Sequence, residues 1–138
     1  MKILLDTNVV LDLLLAREPF VEEAREIFIL LENHSLQGYI CATTVTTLHY
    51  LIGREKNKKE ANEIIENILK LFNVTEVNKA VLLLACKQNG VDYEDAVIYS
   101  SCEKDRIEHI ITRDKRGFKN SQISTLLPKE FLAFYTLT

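Results

Sequence analysis

The sequence predicts an α/β protein: a three-layer αβα sandwich around a central, mainly parallel sheet of four to five strands. Three observations carry that expectation. Short apolar runs alternate with segments of helical periodicity, the pattern of parallel strands joined by helical crossovers. The first run, Ile3-Leu4-Leu5, is apolar without interruption, as a strand covered on both faces requires. Glycine and proline are scarce, at 4 and 2 of 138 residues, which disfavours a loop-rich or all-β chain. The length suits one domain spanning 1–138.

Residues 2–6 read as the first strand. Thr7 or Asn8 can cap a helical segment over Val9 to Leu15. Arg17-Glu18-Pro19 breaks it, and Pro19 suits the first position of a new helix. Glu22, Glu23 and Glu26 favour that helix's positive end, and Ala24, Ile27, Phe28 and Leu31 form its core face. Ser35 to Gly38 reads as a turn, and Tyr39 to Ala42 as the second strand. Thr43 or Thr44 can cap a helix carrying Leu48, Leu51 and Ile52, followed by a polar break over 53–58. A further helix presents Ala61, Ile64, Ile65, Ile68 and Leu69 on one side and ends near Phe72. Val74 to Val77 is the third strand. Asn78 caps a helix through Ala85, Gly90 closes that segment, and Asp92 opens a helix through Cys102. His109 to Thr112 is a β-branched fourth strand. A short strand or turn near Ile123 and a short helix after Pro128 complete the chain.

Composition excludes several classes. Hydrophobic residues make up 47% of the chain, too many for a disordered one. No uncharged apolar stretch approaches the roughly 18 residues of a membrane span, so no membrane association is expected. Cys41, Cys86 and Cys102 are odd in number and widely spaced, which reads as reduced thiols in a cytoplasmic protein and not as zinc ligands. Asp6 interrupts the N-terminal apolar run too early for a secretory leader. There is no phosphate-binding glycine loop and no serine or cysteine nucleophile motif.

The chemistry lies in acids at strand ends. Asp6 ends the first strand, and Asp114 follows the fourth, so both project onto the carboxyl rim of a parallel sheet, where α/β folds bind ligands. Asp92 and Asp95 stand three apart at a helix start, on one face. Each acid has an ordinary alternative: Asp92 as a helix cap with Asp95 in the capping box, Asp6 as a cap, Asp114 as a turn residue. Asp12 is expected to face solvent or pair with Arg17. Together, however, carboxylates gathered on one rim repel unless a cation lies among them, and a hard divalent ion with oxygen ligands, Mg²⁺ or Mn²⁺, relieves that repulsion.

Asp6-Thr7-Asn8, then Asp92-Tyr93-Glu94-Asp95-Ala96, then Thr112-Arg113-Asp114-Lys115-Arg116-Gly117-Phe118 resemble the motifs of the PIN-domain family, in order and at whole-domain spacing. The resemblance implies a metal-dependent endoribonuclease that hydrolyses phosphodiesters of single-stranded RNA by a two-metal type of mechanism. Many bacterial members, among them the virulence-associated protein C group, are toxins of toxin–antitoxin pairs. By motif, Asp6, Asp95 and Asp114 match the family's catalytic metal-site acids. Asp92 is an additional metal-site acid, and Asn8 and Thr112 match supporting residues. The resemblance also implies an antitoxin protein partner and a homodimer. One departure stands out. The family's acid in the helix after the second strand is missing, and Thr47 or His49 occupies the matching place. A neutral histidine suits Mn²⁺ better than Mg²⁺. The alternative is therefore a catalytically weakened domain that binds RNA or protein.

The net charge of −3 is unlike that of a simple nucleic-acid binder, but its distribution is uneven. Arg113, Lys115, Arg116 and Lys119 surround Asp114 and are expected to hold the RNA backbone, with Arg54, Lys56, Lys58 and Lys59 as a second strip. A phosphoacceptor or aspartate-nucleophile phosphatase is the remaining rival. The phosphatase pattern asks for a second aspartate where Asn8 stands.

Overall fold

The computed structural model describes residues 1–137; Thr138 lies outside the described residues. Five strands form one parallel sheet: β1 (Lys2–Leu5), β2 (Gln37–Cys41), β3 (Asn73–Thr75), β4 (His109–Ile111) and β5 (Ser124–Leu126), in the order β3-β2-β1-β4-β5. The α-helices are α1 (Thr7–Leu14), α2 (Val21–Glu32), α3 (Ala42–Glu55), α4 (Lys58–Leu71), α5 (Lys79–Ala85), α6 (Tyr93–Ser101) and α7 (Pro128–Leu137), and a 3₁₀ turn covers Lys115–Phe118. From β1 the chain moves outward through β2 to β3, then returns to place β4 on the other side of β1. The carboxyl ends of β1 and β4 therefore flank the point where strand order reverses, and ligand sites of such sheets form there.

Period-two alternation divides the sheet's side chains between two cores. Ile3, Leu5, Ile40 and Ile111 pack with α1, α2, α3, α4 and Phe131 of α7. Leu4, Tyr39, Cys41 and Ile110 face the opposite layer, where Ile98 and Cys102 close the α6 end and Phe118 adds the 3₁₀ turn. β1, at the middle of the sheet, is thus covered twice, which explains its continuous apolar reading. Thr75 and Ser101, both buried, share a hydrogen bond of 2.7 Å, and Ser101 also donates to the carbonyl of Ile98. No buried hydroxyl of this pair is left unsatisfied.

The element order matches expectation, while several boundaries shift for local reasons. Asp6, not Thr7 or Asn8, caps α1, its carboxylate accepting from the Thr7 amide. α2 starts at Val21, beyond Pro19. Gln37 and Gly38 belong to β2, not to a turn. α3 begins at Ala42, one residue earlier than the threonines expected to cap it, so Cys41 holds the cap position without a side-chain bond, while Thr44 meets Thr7 and Thr43 meets Cys41. The helix also continues through Gly53, where a break was expected; Asn57 then caps α4. Leu69 is exposed and leaves the apolar stripe to Ala61, Ile65 and Ile68. Asp12 is buried and pairs with Arg113, not with solvent or Arg17. Cys41 and Cys102 are buried free thiols, and Cys86 is an exposed one. Among the described residues, no helix is long and apolar enough to cross a membrane.

Gly38 marks the tightest approach in the core. A methyl group there would lie 2.6 Å from Leu31 Cδ2 and 3.1 Å from the Phe72 ring. Gly38→Ala is expected to cost about 1–3 kcal/mol by overpacking, read as a lower urea midpoint at unchanged slope.

Candidate functional site on the carboxyl rim

Asp6 leaves β1 buried at the rim, with 7% of its surface exposed. Its two oxygens are held separately: one accepts from the Thr7 amide at 2.8 Å, the other from the Thr112 hydroxyl at 2.7 Å. Thr112 follows β4, so this bond spans the seam where β1 and β4 lie side by side. The same hydroxyl accepts from the Asp114 amide at 3.1 Å. Asn8 accepts from the Arg113 amide at 3.4 Å. Asn8 and Thr112 thus tie the segment after β4 to the start of α1, which fixes where Asp114 emerges. Burial raises the Asp6 pKa against the opposing effect of its hydrogen bonds, and the charge of Asp114 raises it further.

Asp95 comes from the first turn of α6. Its carboxyl is pushed up to about 6, chiefly by burial and then by the charges of Asp6, Asp92, Glu94 and Asp114. Charges from the ends of β1 and β4 and from the start of α6 thus act on this one carboxyl. Asp92 occupies the cap position of α6, yet its side chain makes no capping bond. Gly117 lies directly against the Asp95 carboxylate, so that any β-carbon there would collide with it. Asp114 behaves differently. Arg116 holds it through the backbone amide at 3.1 Å and the guanidinium at 3.0 and 3.3 Å, which keeps its pKa below the ordinary value.

Among the described residues, no three Asp, Glu, His or Cys side chains stand close enough, as placed, to share one metal ion. The donor chemistry nevertheless fits a hard divalent cation. Every acid offers carboxylate oxygen, and Asp95, raised first by burial, also feels the charges of Asp6, Asp92, Glu94 and Asp114, a negative field that such an ion would neutralise.

The other expected site residues divide. Thr47 sits on α3 with its hydroxyl donating to the Thr43 carbonyl at 3.1 Å. His49 does not join the acids: its Nε2 is 2.6 Å from Asn62 Oδ1, a bond committed to α4. Arg113 is engaged within the protein. Its guanidinium bonds Asp12 at 2.6 and 3.2 Å and lies 3.9 Å from the centre of the Phe20 ring. Lys115 pairs with Glu130, and Arg116 with Asp114. Lys119 is exposed. The sequence reading missed three contributors: Asp12 as the partner of Arg113, Glu94 as a further charge on Asp95, and Gly117 as the contact that seats Asp95. Only Glu94 carried a visible signal, as the neighbour of Asp95 in a run of acids.

Fold and rim together define a class: a parallel αβα protein with carboxylates converging at the strand-order switch. The model of the PIN domain matches residues 2–116, and the chain belongs to that family. Ribonuclease VapC1 of Aquifex aeolicus (strain VF5) is 28% identical over 134 residues, covering 94% of this chain and 92% of that protein. Among solved structures, VapBC-1 from nontypeable Haemophilus influenzae aligns with a TM-score of 0.70 at 17% identity, covering 94% of this chain and 99% of that one. A toxin–antitoxin complex from Klebsiella pneumoniae aligns at 0.68 and 20% identity, over 91% and 96%. At these identities the structural likeness shows the fold.

Two expectations follow from the site. The raised pKa of Asp95 means that the folded state holds its proton more tightly than the unfolded chain. The stability it contributes is full below its ordinary value of 3.8 and is lost as pH rises through about 6. Asp95→Asn should therefore raise Tm near neutral pH and lose that advantage below about pH 4, while a divalent cation raises the Tm of the wild type more than that of the variant. The Asp12–Arg113 pair is a stability element, since Asp12 is 1% exposed. Asp12→Asn should cost about 3 kcal/mol, the low end for a buried pair, because the Arg113 side chain keeps 28% exposure. In a double-mutant cycle with Arg113→Gln, the double variant should lose less than the sum of the singles.

Proposed function

We propose that this protein is a divalent-metal-dependent endoribonuclease of single-stranded RNA, acting as a single domain in the cytoplasm and as the toxin of a toxin–antitoxin pair. The observation that carries this reading is the hydrogen-bonded seam on the carboxyl rim, where Thr112 ties Asp6 at the end of β1 to the segment of Asp114 after β4, with the charges of both acting on Asp95 of α6. Membership of the PIN-domain family and the likeness to a ribonuclease support it.

In this reading Asp6, Asp95 and Asp114 hold Mg²⁺ or Mn²⁺, and Asp92 adds negative charge beside them. The bound cation supplies Lewis-acid polarisation of the scissile phosphate and lowers the pKa of a water. The chain's own residues do the positioning. Thr112 fixes one oxygen of Asp6 and the Thr7 amide fixes the other, which leaves the carboxylate little rotational freedom. Gly117 sets the position of Asp95. Arg116 neutralises Asp114 and must yield for that carboxylate to serve as a ligand. Its pair is exposed, so exchange is cheap. Arg116, Lys115 and Lys119 then face the RNA backbone, while Arg113 stays on Asp12 as a brace. A homodimer and an antitoxin protein complete the proposal; complexes of related fold are described as toxin–antitoxin assemblies.

A second reading is favoured by the place of the family's remaining acid, where Thr47 or His49 stands: Thr47 turns its hydroxyl to its own helix and His49 bonds Asn62. In that reading the chain binds RNA or protein without cutting. Incubating mixed RNAs with Mg²⁺, Mn²⁺ or EDTA beside Asp6→Asn separates the two. Cleavage should appear with either metal, vanish in EDTA, and fall by roughly a hundredfold or more in the variant, given the several kcal/mol a metal supplies. RNA binding with no cleavage under any metal selects the second reading.

A further inference from the structure

Three of the cations expected around Asp114 already have acid partners: Arg113 on Asp12, Lys115 on Glu130, Arg116 on Asp114. The other basic run differs. Arg54, Lys56, Lys58 and Lys59 at the α3–α4 turn are all exposed and, among the described residues, form no ion pair. They carry a local +3 against the single intervening acid, Glu55. One turn before Arg54, Tyr50 exposes 63% of its surface, unusual for so large an aromatic ring. The Arg54 guanidinium stands 5.6 Å from the centre of that ring. The pair thus presents two flat, polarisable faces to solvent beside unpaired cations.

Its placement relative to the acids is fixed by α3. The Thr44 hydroxyl at the start of this helix lies 3.0 Å from that of Thr7, the residue after Asp6. Thr47, Tyr50 and Arg54 follow at spacings of three and four, one stripe along the helix surface. From Thr44 to Arg54 the helix rises about 15 Å, a reach that a strand of several nucleotides covers. Bases of unpaired RNA stack on exposed aromatic and guanidinium planes while basic side chains track the phosphates, whereas a duplex keeps its bases stacked on one another.

We propose that Tyr50 and Arg54 form a base-stacking platform for single-stranded RNA that extends from the acidic rim, with Lys56, Lys58 and Lys59 holding its phosphates. The proposal rests on the ribonuclease reading above and names where that substrate lies beyond the scissile bond. It also assigns the net-negative chain a place to hold RNA that does not draw on cations already bound to the site's own acids.

The test is the affinity of full-length protein for a short fluorescent oligouridylate, measured by anisotropy in EDTA so that binding is read without cleavage, with cleavage in Mg²⁺ and Mn²⁺ measured in parallel. Tyr50→Ala should weaken binding roughly 5- to 50-fold, the loss of one stacked base. Tyr50→Trp should retain or exceed wild-type affinity. Arg54→Gln should weaken binding severalfold, and all three should melt as the wild type does because both side chains are exposed. The same sequence as a duplex should show no dependence on Tyr50. Wild-type affinity in Tyr50→Ala, with cleavage intact, overturns the platform and leaves the ribonuclease reading standing. Wild-type protein that neither binds nor cuts RNA overturns both. A Tyr50→Ala variant that dissociates a dimer while its RNA affinity is unchanged also overturns the proposal and gives this face to a second copy of the chain.

Discussion

The hydroxyl of Thr112 joins two halves of the molecule that are 106 residues apart in sequence. It donates to Asp6 at the end of β1 and receives the Asp114 amide after β4. Nothing in the local sequence of either segment requires them to meet. They meet because β4 is inserted beside β1, on the side that β2 leaves open, and parallel pairing aligns their carboxyl ends. The rim chemistry depends on that one adjacency. A chain whose fourth strand continued outward beyond β3 would keep every acid and lose the site.

Gathering acids at a rim works against the fold, and the structure shows how the conflict is held. Asp6 is satisfied by neutral donors, which orient it without cancelling its charge. Asp95 keeps the strain, visible in its raised pKa. Asp114 is relieved by a surface arginine through exposed contacts. The stronger ion pair is placed elsewhere: Asp12 and Arg113 sit together under Phe20 and brace the segment that carries Asp114. A buried, two-pronged pair is hard to break, whereas an exposed one exchanges readily. The division leaves the site's backbone rigid and its charge available.

Much of this was legible before any coordinates. The uninterrupted run Ile3-Leu4-Leu5 reads as a doubly covered strand because both its faces are buried, Ile3 and Leu5 in one core and Leu4 in the other. Asn78 announces α5 through its own side chain, which bonds the Val81 amide three residues on. Such signals act over one helical turn, so they survive in a linear string. Asp6 and Asp114 could be placed on one rim because parallel strands share a direction. The misreadings have a common cause. Thr44 reads as a cap, but α3 starts earlier, at Ala42, and Thr7 shares the Thr44 hydroxyl; His49 reads as a ligand, but Asn62 takes its ring. In each case the competing partner comes from a segment remote in sequence.

The sequence by itself determined the order of strands and helices, most of the apolar face of each helix and the set of acids available for chemistry. Those properties follow from periodicity, capping and charge, which are local. Only the tertiary structure decided which cations are free. Arg113 and Arg54 are indistinguishable as letters in two basic runs, yet one is clamped on a buried carboxylate and the other stands open over Tyr50. The difference is long-range: an ion pair requires its partner within a few ångströms, and the partner of Arg113 lies 101 residues away on a helix that the sheet carries into place.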